Sequence, residues 1–251
     1  MTRAAAAALA AAVAALPAAA QACSVAADYR VPGNLELARA AETIVVARVI
    51  GGATDRQGDA YASTITVRPL ATIKGAPPQG DIALQGMTLA EGAAAGLGGL
   101  SNPYEFARPH PLGLIGGCIR YVFPRGTTAL FFLRTGHEGM WAAAGEPFSR
   151  WAEDVPDENA PWVALTRLYV RAAELAPAER TALLEAERAA LLARLDEPVA
   201  QLMAADIARQ LGESGEAAAA APAEDPFIER SDSAVDAALR AMQQAAEEGA
   251  D

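Results

Sequence analysis

Four side chains in this 251-residue sequence have the chemistry to hold a metal or a covalent staple: Cys23, Cys118, His110 and His137, the only cysteines and histidines present. Together they have the composition of a Cys2His2 zinc site. Positions 110, 118 and 137, however, contain no C-x2-C or H-x3-H pair of the kind that presents two ligands to one ion. With only two thiols, one pairing exists. A Cys23–Cys118 disulfide would close a loop of about 95 residues and contribute on the order of 4 kcal/mol by restricting the unfolded chain. The disulfide is the expected state, and no metal or other cofactor is expected.

Catalytic constellations are sparse. His137-Glu138 is followed by Gly139, Met140 and Trp141, so there is no H-E-x-x-H. There is no G-x-S-x-G elbow and no Walker loop. Gly96-Leu97-Gly98-Gly99 has neither the strand before it nor the helix after it that a dinucleotide site requires. The single lysine, Lys74, precedes Gly75 in a turn. The acidic pairs Glu153-Asp154 and Asp157-Glu158 flank Pro156 on what should be an exposed connector, where carboxylates serve solvation. No catalytic residue is assigned. The formal charge of -11 is concentrated at the end: residues 213–251 carry ten acids against Arg230 and Arg240. The remainder is mildly acidic and has no basic face, which excludes nucleic acid as a partner.

These residues must be carried by something, and the first segment gives an address. Arg3, the weakly apolar run Ala4 to Leu16, Pro17 and the small residues Ala20-Gln21-Ala22 read as a signal peptide over 1–22, with the mature chain starting at Cys23. The expected location is the periplasm or the extracellular space, both oxidising. Lipidation of Cys23 is the alternative, although Ala20 and Gln21 fit a lipoprotein signal poorly. No other stretch approaches the roughly 20 apolar residues needed to cross a bilayer, so no membrane span is expected.

After the leader, LELARAAE (35–42) behind Asn34 reads as a short helix with Asn34 as its N-cap. TIVVARVI (43–50), ended by Gly51-Gly52, has the β-branched content of a buried strand. YASTITVR (61–68) alternates, with Tyr61, Ser63, Ile65 and Val67 on one face. DIALQG (81–86), CIRYVF (118–123), TALFFLR (128–134) and MWAAA (140–144) continue the series, the fourth and fifth strands joined by a hairpin-like link at Pro124-Arg125-Gly126. Short strands with turn punctuation and no alternating helices predict an antiparallel barrel or sandwich over 23–150. Within it, the stretch 87–117 has no period and is long for a loop of a compact domain. Its Tyr104, Phe106, Arg108 and His110 make it a candidate binding loop, with a flexible insertion as the other reading.

From Pro161 the pattern becomes helical. Pro161, Pro177 and Pro198 each stand near a first helical position, where a missing N–H costs nothing. Stripes of Val163, Leu165, Leu168 and Val170, of Leu184, Leu191, Leu192 and Leu195, and of Val199, Leu202, Met203, Ile207 and Leu211 give a helical segment over 161–212 that packs on itself or on the barrel. Residues 213–251 read as an acidic linker and an isolated helix, an acidic and largely disordered tail.

A cysteine opening the mature chain, a short helix, AETIVVARVIGG leading into a second strand, and GGCIRYVFPRGTTALFFL resemble the netrin-module and tissue-inhibitor-of-metalloproteinases type of OB-fold barrel. The resemblance covers about residues 23–145. It implies an OB-like barrel with its N-terminus stapled by Cys23. It also implies an inhibitory N-terminus at Cys23 and Ser24, whose amino group and carbonyl would chelate a target enzyme's zinc. The family pattern Cys-[Thr/Ser]-Cys is met at Cys23 and Ser24 and departs at Val25. The expectation is an exported, non-catalytic binding or scaffold protein of the bacterial envelope with an unknown protein or envelope partner. Metalloprotease inhibition through Cys23 and a lipoprotein lipidated at Cys23 are the alternatives.

Overall fold

The computed structural model describes residues 26, 28–53, 63–76, 79–90, 102–114, 118–145 and 147–212. The leader, Cys23 and Ser24, Tyr61, the stretches 91–101 and 115–117 of the long loop, and the tail 213–251 lie outside them.

A short helix α1 (Asn34–Ala40) leads into β1 (Thr43–Ala53), β2 (Thr64–Lys74) and β3 (Ile82–Gln85). Next come β4 (Thr88–Ala90), a 3-10 turn at Pro111–Leu114, β5 (Val122–Pro124) and β6 (Thr128–Thr135). A second 3-10 turn at His137–Gly139 precedes β7 (Trp141–Ala143) and β8 (Ala152–Asp154). Helices α2 (Pro161–Ala173), α3 (Pro177–Leu192) and α4 (Pro198–Gln210) follow, each opening on its proline.

The strands close into an OB-like ring in the order β1-β2-β3-β7-β6 and back to β1. Four seams are antiparallel and the fifth, a single bridge Leu84↔Trp141, is parallel. The expected antiparallel barrel is therefore mixed, for a topological reason: strand direction cannot alternate all the way round a ring with an odd number of members. β6 gives one edge to β1 and divides the other between β8, at Ala129 to Phe131, and β7, at Leu133 to Thr135.

The alternation read in the second strand holds, with Ser63, Ile65 and Val67 buried and Arg68 exposed. Three local expectations are corrected. β1 does not end at Gly51-Gly52 but runs to Ala53, with a register shift between Val49 and Gly51. A β-carbon on Gly52 would lie 2.5 Å from the Thr64 carbonyl oxygen, so the glycine is there to let two backbones cross closely. The link at Pro124-Arg125-Gly126 is not a hairpin, because β5 pairs in parallel with β4 while β6 pairs with β1. Gly126 N–H donates to Val49 O at 2.8 Å and Val49 N–H to Thr127 O at 2.8 Å, so the link is bonded to β1 instead of folding β5 onto β6. The strand read as CIRYVF shortens to Val122–Pro124, since Cys118 adopts a left-handed backbone (φ 60) that breaks extension.

One continuous core joins barrel and helices. Phe123, Phe131 and Trp151 stack with centroids 5.6 to 5.9 Å apart, and Phe132 meets Trp162 of α2 at 6.0 Å. α2 buries Trp162, Val163, Leu165, Leu168 and Tyr169. α4 departs from its expected stripe: it buries Ala200, Ala204, Asp206, Ile207 and Ala208, while Leu202 is exposed. Short side chains let the helix approach closely, and the buried face carries an acid in place of leucine. On α3, Leu184 and Leu191 are buried, whereas Leu192 and, beyond the helix end, Leu195 face solvent.

Candidate functional site

The described part of the long loop, Asn102 to Leu114, lies against β8 and α2, and its local hydrogen bonds explain its shape. The Asn102 side chain accepts the Tyr104 N–H at 3.0 Å, an Asx-turn. Glu105 accepts the N–H groups of Ala107 (2.6 Å) and Arg108 (3.0 Å) and pairs with the Arg108 guanidinium at 3.0 Å. Although burial opposes it, this set of donors holds the Glu105 carboxyl below its ordinary range. Phe106 is buried and its ring meets Trp162 at 6.3 Å, while its carbonyl accepts the Asn34 side-chain amide at 2.8 Å.

His110 is as deeply buried as Phe106, each 3% exposed. Its backbone N–H donates to Glu153 Oε1 at 2.9 Å, its Nδ1 accepts the Leu112 N–H at 3.1 Å, and its Nε2 lies 3.4 Å from Asp154 Oδ2. Arg120 reaches the same carboxylate, Nη1 to Oδ1 at 2.7 Å, donates to the Ala152 carbonyl at 3.1 Å, and covers the Phe123 ring at 4.5 Å. Arg150 stands 3.5 Å from Glu153 Oε1 and covers Trp162 at 4.5 Å. Two arginines and two acids make a charge-neutral, buried row from β5 to α2. Burial pushes the Asp154 carboxyl up, but Arg120 and His110 more than offset it and hold it at about 2. For His110, burial and then the Arg120 charge outweigh Asp154 and Glu153, and its pKa falls below the ordinary histidine value.

A second buried carboxylate, Asp206 of α4, ties the helices to the same loop. Tyr169 of α2 donates to its Oδ2 at 2.6 Å, the Asn34 amide to both oxygens at 3.0 Å, and Arg209 to Oδ1 at 2.9 Å. Burial and the Asp206 charge drive the Tyr169 hydroxyl well above the ordinary tyrosine range. Asn34, expected as an N-cap, is instead inside α1, which Gly33 caps, and its side chain links loop and helix.

Of the candidate loop residues, Phe106 and His110 point inward as anchors, while Tyr104 (49% exposed) and Arg108 remain outside, joined by Leu114 (55%). His110 faces Asp154, and His137 lies on the exposed 3-10 turn. Among the described residues no three His, Cys, Asp or Glu side chains gather as a metal cage. Cys118 is buried, and its carbonyl accepts the Phe148 N–H at 2.6 Å. The pair Glu153-Asp154, expected on an exposed connector, lies in β8 with Glu153 buried and Asp154 half-buried, because Arg150 and Arg120 neutralise them there; Asp157 and Glu158 are exposed. Arg120, Arg150 and Asp206 were not legible as partners. The available signals were a lone charge inside the apolar run CIRYVF and a lone acid on an alanine-rich helix face.

The arrangement defines a class: a closed five-stranded barrel with a helical cap, whose long loop is fastened by buried hydrogen bonds beside a row of ion pairs. Comparison with protein-family models, curated proteins and solved structures finds no match to the chain.

Proposed function

We propose that this chain is a non-catalytic binding protein exported to the bacterial envelope, and that the Asn102 to Leu114 loop is its contact surface. One observation carries the reading: the loop's backbone is held by buried polar anchors at Phe106, His110 and Glu153 while Tyr104 and Leu114 stay at the surface. A surface ordered before contact loses less entropy on binding. Tyrosine is a frequent anchor of interfaces. The buried histidine supports the same reading, since Nδ1 accepts the Leu112 N–H and Nε2, 3.4 Å from Asp154 Oδ2 without a hydrogen bond, is enclosed, so neither nitrogen is offered to a substrate. Export with cleavage ahead of Cys23 belongs to the proposal, as does a Cys23–Cys118 disulfide. The chain has two cysteines, so Cys23 is the one partner open to Cys118.

The test is site-specific cross-linking in the exporting cell, with a photoreactive amino acid at Tyr104 and, as control, at Leu195, which is 81% exposed on the helical segment. A discrete adduct from position 104, absent from 195 and lost on Leu114→Ser, is the expected result. Adducts equal from both positions, or none from 104, overturn the loop as the contact surface. Inhibition of a zinc protease that disappears when one residue is added ahead of Cys23 would transfer the function to the N-terminus. The mass of the exported chain, before and after reduction, reads out cleavage at Cys23, its lipidation and the disulfide.

A further inference from the structure

His110 uses its two ring nitrogens differently. Nδ1 accepts the N–H of Leu112, the second residue of the 3-10 turn Pro111–Leu114, and the His110 carbonyl accepts the N–H of Gly113 at 2.7 Å. Because Nδ1 is an acceptor, the neutral ring carries its proton on Nε2, which lies 3.4 Å from Asp154 Oδ2 and makes no hydrogen bond. A second proton has only Nδ1 to enter, and there it would face the Leu112 N–H, donor against donor. We propose that His110 is a proton-operated latch: uptake of a proton at Nδ1 expels the Leu112 N–H, undoes the 3-10 turn and releases the loop from β8.

The surroundings decide which way the latch moves. Facing the ring are Asp154 and Glu153 from β8 and Arg120 from the approach to β5, and Arg150 stands behind Glu153. Asp154 already has its cation in Arg120 at 2.7 Å, whereas Nε2 stands at 3.4 Å, too long for a strong ion pair. The row is neutral with a neutral imidazole, so a proton adds a net charge to a buried site where the described acids, Glu153 and Asp154, already face Arg150 and Arg120. An open loop returns the imidazole to water, where its pKa is about 6.5. The closed loop binds the second proton less readily, so closure is complete above that value and is lost progressively as pH falls below it. Asp154, held at about 2, keeps its charge throughout this window. The latch stands on the loop's hydrogen bonds and does not depend on what the loop binds.

Amide hydrogen exchange on the full chain, corrected for the intrinsic rate at each pH, tests it. Between pH 7.5 and 5.5 the protection of Leu112 and Gly113 should fall about tenfold, the factor for one proton taken up with an open-state pKa near 6.5. Val46 and Leu130, paired between β1 and β6, should keep theirs. In His110→Asn the amide oxygen still accepts from Leu112 but cannot titrate, so the dependence should vanish. Protection that stays flat in the parent chain, falls equally in the barrel, or falls equally in His110→Asn overturns the latch. Should that variant fail to fold, the ring nitrogen shifts of the parent chain decide: an Nε2–H tautomer at pH 7.5 supports the latch and an Nδ1–H tautomer refutes it.

Discussion

Asp206 has no exposed surface, yet both its oxygens are used: each accepts the Asn34 amide, with Arg209 added on one and Tyr169 on the other. A buried carboxylate is tolerable only when its acceptor sites are filled. Removing a donor therefore costs more than the contact itself. Tyr169→Phe deletes one hydroxyl and no volume that matters to packing. It should lower the unfolding free energy by about 2 kcal/mol, the range for hydrogen bonds to charged groups. Urea denaturation measures this as a lower midpoint with an unchanged slope.

At the scale of elements, glycine and charge placement decide how strands continue and which edges are covered. Gly51-Gly52 has the look of a strand end, but in a small barrel glycine also marks where a strand must turn a corner against its neighbour. A methyl group at Gly52 would meet the Thr64 oxygen at 2.5 Å and Leu89 Cβ at 3.3 Å. Two of the three nearest atoms are backbone, so relief requires moving a strand. Gly52→Ala should destabilise the chain by about 2 kcal/mol, as overpacking does. Thermal unfolding followed by circular dichroism would show the midpoint depressed. Lys74, at the end of β2, shows an element finishing its neighbour: its ammonium donates to the carbonyls of Ala38 (2.9 Å), Arg39 (3.2 Å) and Ala41 (2.6 Å), closing the C-terminus of α1. Burial draws its pKa below the ordinary lysine value.

Over the whole molecule, barrel and helices share one core. Trp162 meets Phe132 of the barrel and Phe106 of the loop, and Asp206 of α4 binds Asn34 of α1. A chain so joined has no plane along which it can melt in halves. Unfolding should be a single transition, with the near-ultraviolet signal of Trp151 and Trp162 and the far-ultraviolet signal coinciding; a helical phase that melts first would refute this.

What could be read in advance follows from locality. Val45, Val46, Ile65, Val67 and Phe131 declare strands because β-branched and aromatic residues repeat at a short period, and Pro161, Pro177 and Pro198 declare helix starts because proline lacks one N–H. Those signals sufficed for a small barrel followed by helices. His110, Glu153 and Asp154 were legible one at a time but not as a set with Arg120, since their pairings span up to 44 positions and an acid in isolation reads as solvated. Burial of a charge is a property of its partners, and partners are chosen by the closing of the ring. Periodicity and punctuation thus determined the elements of this protein, through forces acting within a few residues. Only the tertiary structure decided that β5 leaves β6, that Asn34 is a tie and not a cap, and that the long loop is fastened by a buried histidine, because those outcomes depend on desolvation and pairing between segments distant in the chain.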